Sequence, residues 1–361
     1  MRSLIAPRYG EPSIYELRDS ELPKNLKPSN ILVDVKAASV NGHDIIMASG
    51  KTKLFQDVPL PHKLGLDFAG VIANVGSDVK GYSAGDRIYG FTFDGGCIAT
   101  QLLLDSSKLH AIAKMPDSLS FASAASLPAV AVTALQVLRR ADTFFRDQGS
   151  NGLKGKTVFI PGALSGVGSV ALQIAKRVYG CTTITAASTG KITEYPTWIG
   201  ADAVDRAVDY TKDDVVQALG RGSVDFVFDT TGLAGQYVPL VKRGGLCLSI
   251  ARIPPGSAMK EPGQPSKGRV ACVGLGFMDG LDGAFRFWAK NMYGVVYGYH
   301  KTEPTNEDMV AVGEMVGEGS LRPVVGKTAA LEDIETIRKV CMGMFKGAGG
   351  LGKFVIEMEE Q

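Results

Sequence analysis

Short apolar runs rich in β-branched residues dominate the first third of the chain. Two of them, at residues 31–37 and 70–75, are bounded by turn residues, and residues 85–90 predict a turn leading into another strand. No helical period is visible before about Ser118, and the first helix is expected at residues 121–140, where Ala, Leu and Val dominate. The pattern predicts a β-rich, barrel-like unit.

After Lys154 the pattern changes to strands that alternate with helices. Strand-like runs lie at residues 157–161, Thr182–Ala187, Val224–Asp229 and 245–250, and helical segments lie at residues 167–179 and near 192–200. This alternation predicts βαβ units and a parallel sheet. The remaining pattern predicts a Pro-, Gly- and Ser-rich surface loop at 254–267, helices at 307–316 and 331–345, and a closing strand at Lys353–Glu357.

Composition places the chain among ordinary globular proteins. Of its 361 residues 45% are hydrophobic and 21% are charged, and the net charge of +2 gives no reason to expect nucleic acid or an anionic membrane as partner. No apolar run is as long as a membrane span, and the first residues lack the apolar segment of a secretory signal. The five cysteines include no CxxC pair, which favours a reducing compartment. We therefore expect a cytoplasmic protein.

The strongest single motif is a run of small residues between a predicted strand and a predicted helix. Residues 161–171 have the sequence PGALSGVGSVA, in which Ala171 takes the third position of a G-x-G-x-x-G/A pattern. Small residues let the backbone approach a pyrophosphate, which would then lie at the helix N-terminus. The alternative is a tight turn without a ligand, but the flanking strand and helix favour a dinucleotide site.

The end of the next strand indicates which dinucleotide binds. NAD sites place an acid there to hold the ribose hydroxyls, and this chain has Ser188, Thr189, Gly190 and Lys191 instead. Hydroxyl and ammonium groups can donate to a 2′-phosphate. We therefore expect NADP(H) rather than NAD, with the alternative that Lys191 is only a solvated lysine at a helix start.

Several motifs together resemble a known family. The cofactor loop at 162–176, the ASVNGHD segment at 38–44, the GLDFAGV segment at 65–71 and the GDRIYG turn at 85–90 are similar to those of quinone oxidoreductases and zinc-independent enoyl reductases. Residues 319–323 and 352–353 match C-terminal signatures of the same family. The resemblance covers nearly the whole chain, and fungal trans-acting enoyl reductases and ToxD-like oxidoreductases look most similar.

The resemblance implies an α/β fold in two parts. A GroES-like, β-rich catalytic domain would comprise residues 1–127 and a return segment at 301–361. A Rossmann domain with a doubly wound parallel sheet would comprise residues 128–300. The cofactor implied is NADP(H).

The resemblance also bears on zinc. Zinc alcohol dehydrogenases place a Cys where this chain has Asn41, and a His-Glu pair where it has Leu66 and Asp67. Asn and Leu cannot replace thiolate and imidazole as zinc ligands. Only Cys97 lies where the family's four-cysteine structural lobe would be, so we expect no metal.

Site roles are carried over from the resemblance by position. Pyrophosphate contacts are expected from the loop, 2′-phosphate contacts from the end of the second strand, and nicotinamide or ribose contacts from a later strand end and from one helix. The cofactor-binding residues so implied are Asp44, Ser165, Gly166, Val167, Gly168, Ser188, Thr189, Lys191, Tyr210, Ser249, Ile250 and Thr133, with Gly352 and Lys353 as weaker candidates. For Tyr210 a partly buried turn tyrosine is the alternative, and for Thr133 a helix threonine bonded to backbone.

The expected reaction is NADPH-dependent reduction of the C=C bond of an α,β-unsaturated carbonyl. Charge would develop on the carbonyl oxygen, and the candidate donors to it are Asn41, Thr133, Lys51 and the ribose hydroxyl of the cofactor. For Lys51 a solvated loop lysine is the alternative. The proton donor is not identified. The alternatives are an NADPH:quinone reductase and a protein that binds NADPH without redox turnover.

The substrate is expected to be an enone, a polyketide-like molecule or a quinone, and the protein a monomer or a homodimer. Residues 277–299 form the most aromatic stretch of the chain. This stretch could line the pocket of a large apolar substrate, or it could be a core helix followed by a strand at a dimer edge.

Overall fold

The computed structural model describes residues 1–21, 26–53, 57–108, 110–259, 268–348 and 350–358. The chain folds into two compact units. Unit 1 comprises Met1–Val132 and Glu303–Gln361, and unit 2 comprises Thr133–Thr302.

The described part of the chain contains sixteen strands and ten α-helices. The strands are β1 Arg2–Ala6, β2 Glu16–Asp19, β3 Asn30–Val40, β4 His62–Lys63, β5 Asp67–Val75, β6 Arg87–Thr92, β7 Gln101–Asp105, β8 His110–Lys114, β9 Thr157–Phe159, β10 Thr182–Ala187, β11 Arg206–Asp209, β12 Val224–Asp229, β13 Val241–Ser249, β14 Val296–Tyr299, β15 Val325–Ala330 and β16 Lys353–Glu357. The helices are α1 Gly42–Ser49, α2 Phe121–Ala125, α3 Pro128–Asp147, α4 Gly166–Gln173, α5 Thr189–Ile199, α6 Val215–Leu219, α7 Ala234–Tyr237, α8 Gly268–Trp288, α9 Asn306–Gly317 and α10 Ile334–Phe345. Both α4 and α8 continue into a π-helical turn, at Ile174–Val178 and Ala289–Tyr293.

Unit 1 is the β-rich unit that the sequence predicts. Its main sheet has the order β15-β16-β3-β5-β6-β8, with β7 also pairing β3, and a smaller sheet has the order β2-β1-β4. All these pairs are antiparallel except β15 with β16. Its core includes the fully buried side chains of Tyr15, Phe68 and Ile88. The fold agrees with the GroES-like expectation.

Unit 2 is a doubly wound parallel sheet, also as predicted. Its strand order is β11-β10-β9-β12-β13-β14, and every neighbouring pair is parallel. Numbered along the chain this is the 3-2-1-4-5-6 order of a Rossmann sheet. Because the strands are parallel, their carboxyl ends meet at one edge, where ligands of such sheets bind.

The expectation of no helix before Ser118 is wrong. Helix α1 begins directly after Asn41, and its first turn is closed by Asp44, whose carboxylate accepts the backbone N–H of Asn41 at 2.7 Å. The helix buries its own residues Ile45 and Met47. Eight residues are too few for a visible helical period, but the Asn-x-x-Asp spacing is that of a capping box.

The helix expected at residues 121–140 is two helices. Ser120 caps α2 by accepting the backbone N–H of Ser123 at 3.2 Å, and α2 ends at Ala125. Pro128 then opens α3, because a proline lacks the N–H that a continuing helix needs but fits its first turn. Helix α3 continues to Asp147, beyond the expected end.

The aromatic stretch at residues 277–299 forms the end of α8 and strand β14. The rings of Phe285 and Tyr297 meet edge to face at 4.6 Å, and Tyr297 is buried. Phe277 and Phe287 are 66% and 70% exposed, so only part of the stretch is core. Strand β14 lies at the sheet edge. The expected loop at 254–267 contains a 3₁₀ turn at Gly256–Met259, and its residues 260–267 lie outside the described part of the chain.

Candidate functional site

The predicted phosphate loop lies at the carboxyl end of β9 and opens α4. Ser165 is the N-cap of α4, and its Oγ accepts the backbone N–H of Gly168 at 3.1 Å. The N–H groups of Gly166 and Val167, in the first turn, have no acceptor within the helix. Since both residues are half-exposed, they can donate to an anion at the helix N-terminus.

Two glycines shape this loop as a dinucleotide requires. Gly162 has a φ of +75°, in the left-handed region that favours glycine. A Cβ on Gly168 would lie 2.1 Å from the carbonyl oxygen of Gly162 and 2.8 Å from Ser165 Oγ. The first turn of α4 therefore packs directly on the loop, with no room for a side chain. These residues fit the pyrophosphate of a nicotinamide dinucleotide.

The residues expected at the 2′-phosphate lie at the end of β10 and the start of α5. Ser188 is the N-cap of α5, and Thr189 is its first residue. Lys191 is half-buried, and the loss of water around its ammonium lowers its pKa. Helix α5 thus begins three residues before the predicted segment, and all three candidate donors lie within its first turn.

A carboxylate that the sequence analysis did not select lies beside them. Asp209 ends β11, next to β10, and accepts the hydroxyl of Thr189. It also accepts the backbone N–H and the hydroxyl of Thr211, at 3.0 and 2.6 Å. The hydroxyl donors lower the pKa of Asp209 to about 2, so it is ionised at neutral pH. Tyr210 follows it and is 57% exposed, which leaves its ring available to a ligand.

A second carboxylate organises the ends of β12 and β13. Asp229 is fully buried and accepts the hydroxyl of Ser249 at 2.7 Å. It also accepts backbone N–H groups of Thr231, Leu233 and Ala234 at 3.0 to 3.2 Å. Because its hydroxyl proton is bound by Asp229, Ser249 positions the strand end rather than donating to a ligand.

Ile250 and Thr133 complete the expected nicotinamide contacts in unit 2. Ile250 is half-buried, and its backbone N–H donates to the carbonyl of Asp229 at 3.1 Å. Thr133 lies within α3, half-buried, and its hydroxyl lies 2.9 Å from that of Thr302. Either hydroxyl can be the donor in this contact.

In unit 1 the structure brings Asn41 and Lys353 together around one buried carboxylate. Asp67 is fully buried and accepts Ser39 Oγ at 2.9 Å, Asn41 Nδ2 at 3.0 Å and the backbone N–H of Ala129 at 3.0 Å. Lys353 Nζ lies 3.2 Å from the same carboxylate and donates to Asn41 Oδ1. The amide of Asn41 is therefore fixed in orientation, with one N–H remaining for another acceptor.

Asp44 and Gly352 are neighbours of this group: Asp44 accepts the backbone N–H of Asn41, and Gly352 precedes Lys353 in the chain. Asp44 is buried, and desolvation raises its pKa to about 7. A Cβ on Gly352, which has a φ of +52°, would lie 2.2 Å from the carbonyl oxygen of Val324. Their observed contacts lie within unit 1, and their expected contacts with the cofactor stay predictions.

Lys51 is not part of this group. Its Nζ lies 4.1 Å from the ring centroid of Phe345, in a cation–π contact on the exposed surface. Its role as a carbonyl donor stays a prediction that these contacts do not favour.

Two kinds of feature are absent from the described residues. No group of three or more His, Cys, Asp or Glu side chains among them is placed to hold a metal ion. None of the helices described is both long and apolar enough to cross a bilayer.

The sequence analysis missed three carboxylates, Asp67, Asp209 and Asp229. Asp209 and Asp229 are the last residues of parallel strands. An acid at such a position can be recognised in the sequence, because ligands bind at the carboxyl ends of these strands. Asp67 lies in the quoted GLDFAGV segment, but its partner Lys353 is 286 residues away, which no local pattern can reveal.

Two family models match the chain. The alcohol dehydrogenase GroES-like domain matches residues 27–129, and the zinc-binding dehydrogenase domain matches residues 199–336. The first lies in unit 1, and the second covers much of unit 2 and continues into the return segment.

Curated relatives and a solved structure agree with these matches. The chain is 35% identical to a 2-methylene-furan-3-one reductase of Solanum lycopersicum over 69% of its own length and 62% of that protein. It is 31% identical to an NADPH-dependent alkenal/one oxidoreductase, chloroplastic, of Arabidopsis thaliana, over 71% of its own length and 64% of that protein. Each match thus spans less than two thirds of the relative.

The quinone oxidoreductase of Coxiella burnetii has the same fold. Its structure superposes with a TM-score of 0.75 and 24% identity, covering 99% of both chains. With a GroES-like unit, a Rossmann unit, and Asn41 and Leu66 at the family's zinc-ligand positions, the chain belongs to the zinc-independent group of the medium-chain dehydrogenase/reductase family.

Proposed function

We propose that this protein reduces the C=C bond of an α,β-unsaturated carbonyl with NADPH. One observation carries the proposal: two relatives, 35% and 31% identical, are named for a methylene-furanone and for alkenals and alkenones. In all of these a C=C bond is conjugated with a carbonyl. The geometry of the phosphate loop supports the cofactor assignment, because Gly162 and Gly168 leave the backbone open to a pyrophosphate.

Unit 2 would hold the cofactor through backbone and side-chain donors. Gly166 and Val167 N–H groups would bind the pyrophosphate, and Ser188, Thr189 and Lys191 would bind the 2′-phosphate. The bound cofactor would supply the hydride that the β-carbon of the substrate receives. The chain's own contribution is then to orient the reactants and to stabilise the charge that forms on the carbonyl oxygen.

In unit 1 we assign that stabilisation to Asn41. Its Nδ2 uses one N–H on Asp67, and its Oδ1 is bound by the Lys353 ammonium. A cation on the amide oxygen polarises the amide, so the second N–H becomes a stronger donor. Thr133 is the other candidate donor, and its hydroxyl lies 2.9 Å from that of Thr302.

The test measures NADPH oxidation by the purified chain. The absorbance of NADPH is monitored with each member of a panel of acceptors. The panel contains a short enone, an alkenal, a quinone and, as control, the saturated ketone that matches the enone. We expect oxidation with the enone and the alkenal and none with the saturated ketone. Turnover with the quinone alone would support the quinone reductase alternative. Tight NADPH binding without reduction of any acceptor would support a non-redox binding protein and overturn the proposal.

The finer identity of the substrate, including a polyketide-like one, remains a prediction, as do a monomeric or dimeric state and a cytoplasmic location. The acceptor panel orders the substrate classes by kcat/KM. Sedimentation of the purified chain measures its oligomeric state.

A further inference from the structure

The carboxylate of Asp209 lies beside the strand end where dinucleotide enzymes bind the adenosine ribose. Strands β10 and β11 are parallel neighbours, and Ala187 at the end of one pairs with Asp209 at the end of the other. The donors proposed for the 2′-phosphate, Ser188, Thr189 and Lys191, follow Ala187 directly. Asp209 therefore lies at the same edge of the sheet as these donors, on the next strand.

A direct hydrogen bond joins this carboxylate to one of those donors. Thr189 Oγ1 donates to Asp209 Oδ2, while Thr211 donates to Oδ1. The ammonium of Lys212 lies 3.5 Å from Oδ2. The Asp209 side chain is only 12% exposed, so its position is fixed by these three neighbours.

A carboxylate at this edge affects whether the 2′ position of the adenosine ribose carries a hydroxyl or a phosphate when the cofactor binds. NAD enzymes use an acid at the end of the second strand to bind the 2′-hydroxyl, and the same acid repels a 2′-phosphate. Here the second strand carries no acid, but the third strand supplies one that contacts Thr189. A phosphate bound by Thr189 would meet the negative charge of Asp209, partly balanced by Lys212 and Lys191.

We propose that Asp209 is a specificity-determining residue for the cofactor: its charge weakens binding of the 2′-phosphate, so that the protein also accepts NADH. This inference rests on the proposed function, since it assumes a nicotinamide dinucleotide at this edge. Lys212 acts in the opposite direction, because its ammonium offsets the Asp209 carboxylate. The selectivity of the site is then the balance of one carboxylate against two ammonium groups.

The experiment is calorimetric titration of the purified chain with NADPH and with NADH. Asp209→Asn removes the charge but keeps an oxygen that can accept from Thr189. We expect the Kd for NADPH to fall about two- to five-fold, the range for removing one charge interaction near the surface, and the Kd for NADH to stay unchanged. The matched control is Asp147→Asn, which removes the same charge from an exposed side chain at the end of α3 and should change neither Kd.

A second variant removes the neighbouring positive charge of Lys212, whose side chain is 65% exposed. Lys212→Gln should raise the Kd for NADPH about two- to five-fold and leave that for NADH unchanged. Equal effects on both cofactors, no effect of either variant, the same effect from Asp147→Asn, or binding of NADPH but not of NADH by the wild-type chain would overturn the inference. Failure of the proposed function gives a different result. The wild-type chain would then bind neither cofactor, or would bind NADPH but fail to oxidise it with any acceptor of the panel.

Discussion

Removing the Lys353 ammonium should destabilise unit 1 far more than an ordinary lysine substitution. The side chains of Lys353 and Asp67 are 6% and 0% exposed, and their charged groups lie 3.2 Å apart. Lys353→Met keeps the apolar stem but leaves the Asp67 carboxylate buried with only the neutral donors Ser39, Asn41 and Ala129. Breaking a buried pair by removing one partner costs roughly 3–5 kcal/mol, because the remaining charge loses its compensation.

The assay is urea unfolding of four proteins: wild type, Lys353→Met, Asp67→Asn and the double variant. The double variant removes both charges, so it should recover more than half of the stability that Lys353→Met loses. The coupling free energy is then at least about 2 kcal/mol, because the loss caused by Asp67→Asn alone adds to this recovery. A loss below about 1 kcal/mol for Lys353→Met, or additive losses in the double variant, would refute the reasoning.

The same variant separates two roles for Lys353. Both of its bonds are made within unit 1, to Asn41 and Asp67. If it positions Asn41, Lys353→Met should lower kcat with an enone about ten-fold or more, and the Kd for NADPH should stay within about two-fold of wild type. A large rise in the NADPH Kd with an unchanged kcat would instead support the direct cofactor contact expected from the family resemblance.

Three further predictions concern single residues. Gly168→Ala should weaken NADPH binding at least about ten-fold, measured by titration, because its Cβ would meet the Gly162 carbonyl at 2.1 Å; Gly283→Ala, whose Cβ meets open space, should leave the Kd unchanged. Asp229→Asn should lower the free energy of unfolding by about 2 kcal/mol in urea, since its amide would face N–H donors; a change below about 0.5 kcal/mol would contradict this. Folding raises the pKa of Asp44 from 3.8 to about 7, so the folded protein binds this proton more tightly than the unfolded chain. Rising pH should therefore lower the stability of the wild type relative to Asp44→Asn by about 1 kcal/mol per pH unit between pH 4 and 7. Parallel plots of unfolding free energy against pH for the two proteins would contradict this prediction.

The fold was largely predictable because its signals are local. Buried parallel strands such as Thr182–Ala187 and Val224–Asp229 have the bounds that their apolar runs predict. The failures also have local causes. Helix α1 is too short to show a helical period, and a single proline at position 128 divides the helix expected at 121–140.

The candidate site was predictable only where one loop supplies it. The phosphate loop combines a strand, small residues and a helix within about fifteen positions, so sequence alone indicates its chemistry. The three missed carboxylates act through partners that the chain brings back from far away. Asp229 meets Ser249 through the pairing of β12 with β13, and Asp67 meets Lys353 through the pairing of β16 with β3. Such contacts follow from sheet topology rather than from spacing.

The discontinuous sheet of unit 1 sets the order in which the chain can fold. Strand β16 pairs with β3 in the interior of that sheet, although more than 300 residues separate them. On the ribosome, Thr133–Thr302 is synthesised without interruption and can fold as soon as it emerges. The first 132 residues must wait, with the interior edge of β3 and the carboxylate of Asp67 unpaired, until the final strand is made. A nascent or truncated chain that ends before Lys353 should therefore display a mature nucleotide-binding unit joined to an aggregation-prone half-sheet.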